Sequence, residues 1–178
     1  MPLVRRPLVL TGGPGAGKNT CGRRLAEGRQ RCAFVDADDL RQLVVAGAAA
    51  PWEGPEGERQ RELGARSSAA LAAGFGAAGF EVVVADVLTP ASLRIWRLAV
   101  PDAVVVRLVQ TPDEALRRLG GRHRWITDEE LRWLHGVEAA DPPAADAVLE
   151  VAGLDLDAQV AALEHLWSDA RPPRRDAR

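Results

Sequence analysis

The run Gly12-Gly13-Pro14-Gly15-Ala16-Gly17-Lys18 follows a short apolar stretch and precedes a helical pattern. Glycines at this spacing let a backbone wrap closely enough for successive N–H groups to converge on one anion. The helix that starts behind them adds its positive end, and Lys18 is long enough to reach the outer phosphates of a polyphosphate. Lys18 is also the one lysine among 23 lysine and arginine residues. A composition that uses arginine at every other basic position has kept a compact ammonium on a flexible stem where that shape is required.

A second group lies in "FVDADDLRQLV", Phe34 to Val45, where Asp36, Asp38 and Asp39 stand at the end of an apolar run and Arg41 follows them. A positioned carboxylate can take the proton of a hydroxyl that attacks a phosphoryl group, and arginine can hold an anionic acceptor in a charge-assisted pair. Asp36 can equally cap a helix, and Asp39 can be a solvated charge. Asp86 ends a further apolar run, "EVVVAD". It can meet a metal ion through water or make a structural hydrogen bond.

These groups need a scaffold that gathers them. Apolar runs rich in Val and Leu alternate with helical patterns, which predicts strands near Pro7 to Thr11, Cys32 to Asp36, Glu81 to Asp86, Ala103 to Val109 and Ala147 to Val151. Strand and helix in alternation argue for an α/β fold: a five-stranded parallel sheet with helices on both faces. In such a sheet ligands sit at the carboxyl ends of the strands, where the glycine run and the acidic group both fall. Helix starts are marked by Thr89-Pro90, by "TPDE" from Thr111 and by "TDEE" from Thr127, the last two with the spacing of a capping box. A long helix fits from Pro55 to Ala78, with Leu63, Leu71, Phe75 and Ala78 near one face.

The 178 residues are expected to form one domain over 1–170 followed by a disordered basic tail, "RPPRRDAR", over 171–178. A formal net charge of −2 and a pI near 6.0 lack the counterion-release term that a chain-wide nucleic-acid binder needs. No apolar run is long enough to span a bilayer and none reads as a signal peptide, so a cytoplasmic location is expected, without membrane association. Cys21 and Cys32 read as reduced core residues. Oligomeric state is not legible.

"GGPGAGKNT" resembles the loop of the nucleoside monophosphate kinases, in which a glycine commonly follows the lysine and a threonine comes next, the place of Thr20. The resemblance implies a three-layer P-loop NTPase fold with a short lid, ATP as phosphate donor and Mg²⁺ held largely by phosphates and waters. Asn19 stands where other P-loops carry a magnesium-binding hydroxyl; its side-chain carbonyl can reach the metal or a metal-bound water. The nucleotide site would comprise Gly13, Pro14, Gly15, Ala16, Gly17, Lys18, Asn19 and Thr20. Arg118 and Arg122, four apart, resemble the Arg-x-x-x-Arg of adenylate kinase, which implies adenine stacking for Arg118 and phosphate contact for Arg122; a charged helix end is the other reading. By position, Ala152 and Gly153 fall in the turn that holds the adenine edge in such kinases.

The Asp-x-Asp-x-x-Arg segment resembles that of adenylylsulfate kinase and polynucleotide 5′-kinase, and the chain is similar in size and layout to chloramphenicol phosphotransferase and gluconate kinase. That implies Asp38 as catalytic base, with Asp36 the alternative, and Arg41 as a grip on the acceptor. Nucleotide kinases carry an acceptor arginine after the third strand, and "ADVLTP" has none there. The expected function is therefore ATP-dependent phosphate transfer to a hydroxyl of a small molecule, a metabolite, nucleoside or antibiotic. A nucleoside monophosphate kinase is the first rival, and an ATP-binding regulatory module the rival of another class. Acceptor contacts are expected from Asp36, Arg41, Trp52, Arg66 and Asp86, with Asn19 and Asp86 nearest the metal. Trp52, Glu53, Arg59 and Arg66 can also be surface decoration.

Overall fold

The computed structural model describes residues 6–120 and 127–170. Five strands, β1 (Leu8–Thr11), β2 (Cys32–Asp36), β3 (Glu81–Ala85), β4 (Val104–Val109) and β5 (Ala147–Glu150), form one sheet in the order β2-β3-β1-β4-β5 with every pairing parallel. The helices are α1 (Lys18–Glu27), α2 (Ala37–Arg41), α3 (Gly54–Ala77), α4 (Pro90–Ala99), α5 (Pro112–Leu119), α6 (Asp128–Ala140) and α7 (Leu156–Asp169).

Successive strand residues face opposite sides, so the apolar runs feed two cores. Val9, Val35, Val82, Val84 and Val105 pack with Ala65, Ala69 and Ala72 of α3 and Leu93 and Trp96 of α4. Leu8, Leu10, Val83, Val104, Val106 and Leu108 pack on the other face with Cys21 and Leu25 of α1 and Leu163 and Trp167 of α7. β1 lies between β3 and β4, so the glycine run that leaves it enters the middle of the sheet's carboxyl edge.

Helix ends follow their expected chemistry, with one difference. The Thr127 side chain accepts from Glu130 N–H while the Glu130 carboxylate accepts from Thr127 N–H, a complete capping box. Thr89 makes the same reciprocal pair with Ser92. Thr111 accepts from Glu114 N–H, but the Glu114 carboxylate turns to Arg117 and Arg118, so this box is half formed.

α3 departs from the expected face. Leu63, Leu71, Phe75 and Ala78 are exposed, and the helix buries Gly57, Gly64, Ala65, Ser68, Ala69 and Ala72. Small residues on this stripe let the helix lie close to α4 and the sheet, and the space left admits no large side chain. Ser68 stays satisfied by donating its hydroxyl to Gly64 O at 2.9 Å. Ala69→Leu should therefore overpack the seam and lower the unfolding free energy by about 1–3 kcal/mol. Leu71→Ser should cost less than about 1 kcal/mol. Urea denaturation compares the two, and an equal loss at Leu71 would return the buried face to the large residues.

Candidate active site

The glycine run is shaped by its neighbours. Gly12 has φ +134°, and a Cβ there would collide with the carbonyl oxygen of Leu108 on β4. Gly15 and Gly17 also have positive φ, at +77° and +90°. Gly17 is the N-cap of α1 and offers no side-chain cap, and the first turn of α1 contains no acidic residue. The first N–H groups of this helix thus keep both their missing partners and the helix's positive end for a ligand. The Lys18 ammonium donates to Gly12 O at 2.7 Å and to Gly13 O at 3.0 Å. Burial lowers its pKa, opposed by the carboxylates of Asp38, Asp86 and Asp36.

The three acids after β2 have separate fates. Asp36 caps α2 by accepting from Asp38 N–H at 3.0 Å, and its other oxygen accepts from the side-chain amide of Asn19. Burial raises its carboxyl above the ordinary range. Asp38 is exposed and lines the cavity; Asp36 and Asp39 do not line it. Arg41 spans two acids, donating from Nη1 to Asp38 and from Nη2 to Asp86 Oδ1 at 2.6 Å. Asp86 lies beneath it with its side chain 1% exposed, and the same Oδ1 accepts from Val87 N–H at 2.7 Å. Burial pushes the Asp86 carboxyl up, opposed by the Arg41 guanidinium.

Above these groups opens a cavity of about 1120 Å³. Its lining includes Pro14, Gly15, Gly17, Lys18, Asn19, Thr20, Asp38, Arg41, Trp52 and Arg118, so the glycine run, the acidic segment and the end of α5 meet in one space. Arg118 donates from Nε to Glu114 at 2.9 Å and from Nη2 to the carbonyls of Val151 and Leu154. It clasps the turn after β5, but that turn reaches the cavity through Leu154, Leu156 and Gln159; Ala152 and Gly153 are exposed beside it. Arg66 is not in the cavity either. It faces solvent on α3 near Glu62, at 3.5 Å, because the buried stripe of α3 lies on other positions. Glu53 accepts from Ala50 N–H and Arg59 pairs with Glu56, so both serve local structure. Arg122 lies outside the described residues.

Two further cations line the cavity. Arg61 lines the cavity with its side chain 11% exposed and donates to Pro51 O at 3.1 Å. It sits between Gly57 and Gly64 on the small-residue stripe, a face that only the packing of α3 reveals. Arg94 of α4 also lines the cavity. Both cysteine thiols are free and are pushed up to about 11 by burial, as expected of unreactive thiols. No helix among the described residues is long and apolar enough to cross a membrane.

The donor set suits Mg²⁺ held mainly by phosphates and waters. Among the described residues no group of three or more His, Cys, Asp or Glu side chains comes together. Because the Asn19 amide nitrogen is committed to Asp36, its carbonyl oxygen is the free end, the type of donor Mg²⁺ accepts. Asp86 shares its charge with Arg41 and fits a direct metal contact less well.

No family model and no curated protein matches this chain in sequence. Solved structures match it in fold. A Janibacter sugar kinase superimposes with a TM-score of 0.70 at 19% identity, covering 94% of this chain and 96% of that one. Shikimate kinase from Bacteroides thetaiotaomicron gives 0.67 at 22% identity, covering 93% and 99%. A gluconokinase from Sinorhizobium meliloti gives 0.64 at 18% identity, covering 92% of each chain. The chain therefore has the α/β fold shared by P-loop small-molecule kinases, over nearly its full length.

The Arg41 bridge generates a test in the free protein. Asp86→Ala removes the buried partner of the Arg41 guanidinium, leaving it only the exposed Asp38, and should lower the unfolding free energy by about 3 kcal/mol. Asp38→Ala removes an exposed partner and should cost less than about 1 kcal/mol. Denaturant unfolding without ligand measures both, and equal losses would contradict the unequal burial of the two acids.

Proposed function

We propose that residues 1–170 form an ATP-dependent kinase that transfers the γ-phosphoryl group to a hydroxyl of a small molecule. The observation that carries this reading is that Asp38, an exposed carboxylate just after β2 and within reach of the Lys18 ammonium's field, lines the same cavity as the glycine loop and its lysine. A hydroxyl acceptor needs a proton acceptor at that point, whereas a phosphate acceptor is already anionic.

In this reading the loop from Gly13 to Thr20 receives the triphosphate, and Lys18 leaves the Gly12 and Gly13 carbonyls to meet the outer phosphates. The Arg118 guanidinium is hydrogen-bonded at its edge to Val151 and Leu154, which leaves its faces for adenine. Mg²⁺, when bound, would neutralise the phosphate oxygens, with Asn19 and waters as its protein-side partners. Asp38 takes the acceptor's proton, the acceptor oxygen bonds to the γ-phosphorus, and the bond from that phosphorus to the β-phosphate oxygen breaks to release ADP. Asp36 positions Asn19 and the start of α2. Arg122 is assigned to the phosphates by resemblance alone.

Two arginines beyond Arg41 and Arg118 line the cavity: Arg61, 4.0 Å from the Glu58 carboxylate, and Arg94, which has no ion-pair partner among the described residues. This favours an acceptor that carries a negative group beside its hydroxyl. Two of the solved structures with this fold are named for shikimate and gluconate, both hydroxy acids, which supports that choice. The same arginines would serve a nucleoside monophosphate, and the acceptor panel separates these.

ADP release is measured with hydroxy acids, sugars, nucleosides, antibiotics and nucleoside monophosphates. Lys18→Ala is expected to lose about 10²-fold or more through a missing transition-state contact. Asp38→Asn is expected to lose about 10² to 10⁴ in rate with ATP affinity unchanged. Wild-type turnover in Asp38→Asn would refute the base assignment. ATP binding without any acceptor-dependent turnover would favour a regulatory module.

A further inference from the structure

The one buried histidine among the described residues sits against the glycine run. His135, on α6, is 6% exposed, and its Nε2 lies 2.9 Å from the carbonyl oxygen of Pro14. Its ring also occupies the space beside Gly13, where an added Cβ would stand 2.6 to 2.9 Å from Cε1, Nδ1 and Nε2. Gly13 is not among the positive-φ glycines. Neither backbone conformation nor a neighbouring strand therefore demands glycine there; the imidazole does.

We propose that His135 is a positioning residue for the phosphate loop, which donates from Nε2 to Pro14 O and thereby fixes the plane of the Pro14–Gly15 peptide at the cavity that Gly15 lines. The reason is peptide geometry. In a planar trans peptide the C=O and the following N–H point in opposite directions, and the chain has no cis peptide among the described residues. Anchoring the Pro14 carbonyl on the α6 side turns the Gly15 N–H the other way. A loop that binds an anion must also keep its carbonyl oxygens off that anion, since two acceptors repel. The Gly12 and Gly13 carbonyls accept from Lys18, and Gly13 O accepts also from Ala16 N–H at 3.3 Å, but Lys18 must leave both to meet a phosphate. The His135 bond comes from another helix and does not depend on Lys18. It therefore remains when the lysine moves.

α6 can carry this load because both ends of the contact are fixed. Its start is closed by the Thr127 capping box, and Leu131, one turn before His135, is fully buried. On the loop side, Gly15 packs against Ala115 and Leu119 of α5, so the segment is pressed from two helices.

The inference rests on the proposed reading only in taking the anion to be the ATP phosphates. Calorimetry measures the Kd of ATP and of inorganic tripolyphosphate for wild type, His135→Leu and His135→Gln, alongside unliganded Tm values. His135→Leu, which keeps bulk and removes the donor, is expected to weaken both ligands about tenfold. His135→Gln, whose amide can still donate, is expected to stay within about threefold of wild type. Gly13→Ala, which displaces the ring without altering it, is expected to weaken both ligands as His135→Leu does and keeps the test open if His135→Leu does not fold. Unchanged affinity in His135→Leu, a His135→Gln as weak as His135→Leu, or a Gly13→Ala that binds like wild type would each overturn the role. A wild type that binds no ATP would overturn this role and the kinase reading together. ATP binding without transfer would leave this role standing and remove only the kinase reading.

Discussion

The start of α1 has N–H groups with no intrahelical acceptor, and the site is built around that deficit. A helix normally answers it with a side-chain cap or an early acid; here the N-cap is Gly17 and no acid occupies the first turn. The deficit is tolerable only because the preceding loop is held in place by other elements. The β4 backbone lies where a Gly12 side chain would be, α5 packs on Gly15, and α6 packs on Gly13. Glycine in this loop is thus a record of three neighbours as much as of a ligand.

Charge is arranged around the same point. Lys18 is buried and its pKa is lowered by that burial, yet Asp36, Asp38 and Asp86 all lie near enough to oppose the shift. Arg41 couples the exposed Asp38 to the buried Asp86 through one guanidinium. Asp86 in turn is pinned by Val87 N–H, while its own N–H donates to Leu10 O on β1. The exposed Asp38 is therefore linked, through one arginine, to the central strand from which the glycine loop departs.

The wall of the cavity away from the loop depends on α3 and α4 lying close together. The small-residue stripe of α3 brings this about, and it carries Arg61 into the cavity because Arg61 shares the stripe with Gly57 and Gly64. The packing that excludes large side chains from the seam also leaves Leu63, Leu71 and Phe75 outside.

Local rules were enough for much of this. The five strands are legible because each is a short Val- and Leu-rich run, and their parallel order follows from the helices between them. The loop is legible because its glycines, Lys18 and the flanking elements are contiguous, and the caps at Thr89, Thr111 and Thr127 because a cap is settled within one turn. What could not be read depends on residues far apart in the chain. The large residues of α3 promise a hydrophobic face, but which face is buried is decided by how near α4 and the sheet approach, and close approach selects Ala and Gly. Arg66 and Arg61 look alike in sequence, and only helix rotation separates solvent from cavity. Ala152 and Gly153 lie in the expected turn, and the residue of that turn that lines the cavity is Leu154. Asp36 and Asp38 differ by two positions, and the divergence of their environments comes from Asn19 and Arg41. His135 meets Pro14 across more than a hundred residues, a contact that composition and periodicity do not encode because it exists only once α6 has packed on the loop.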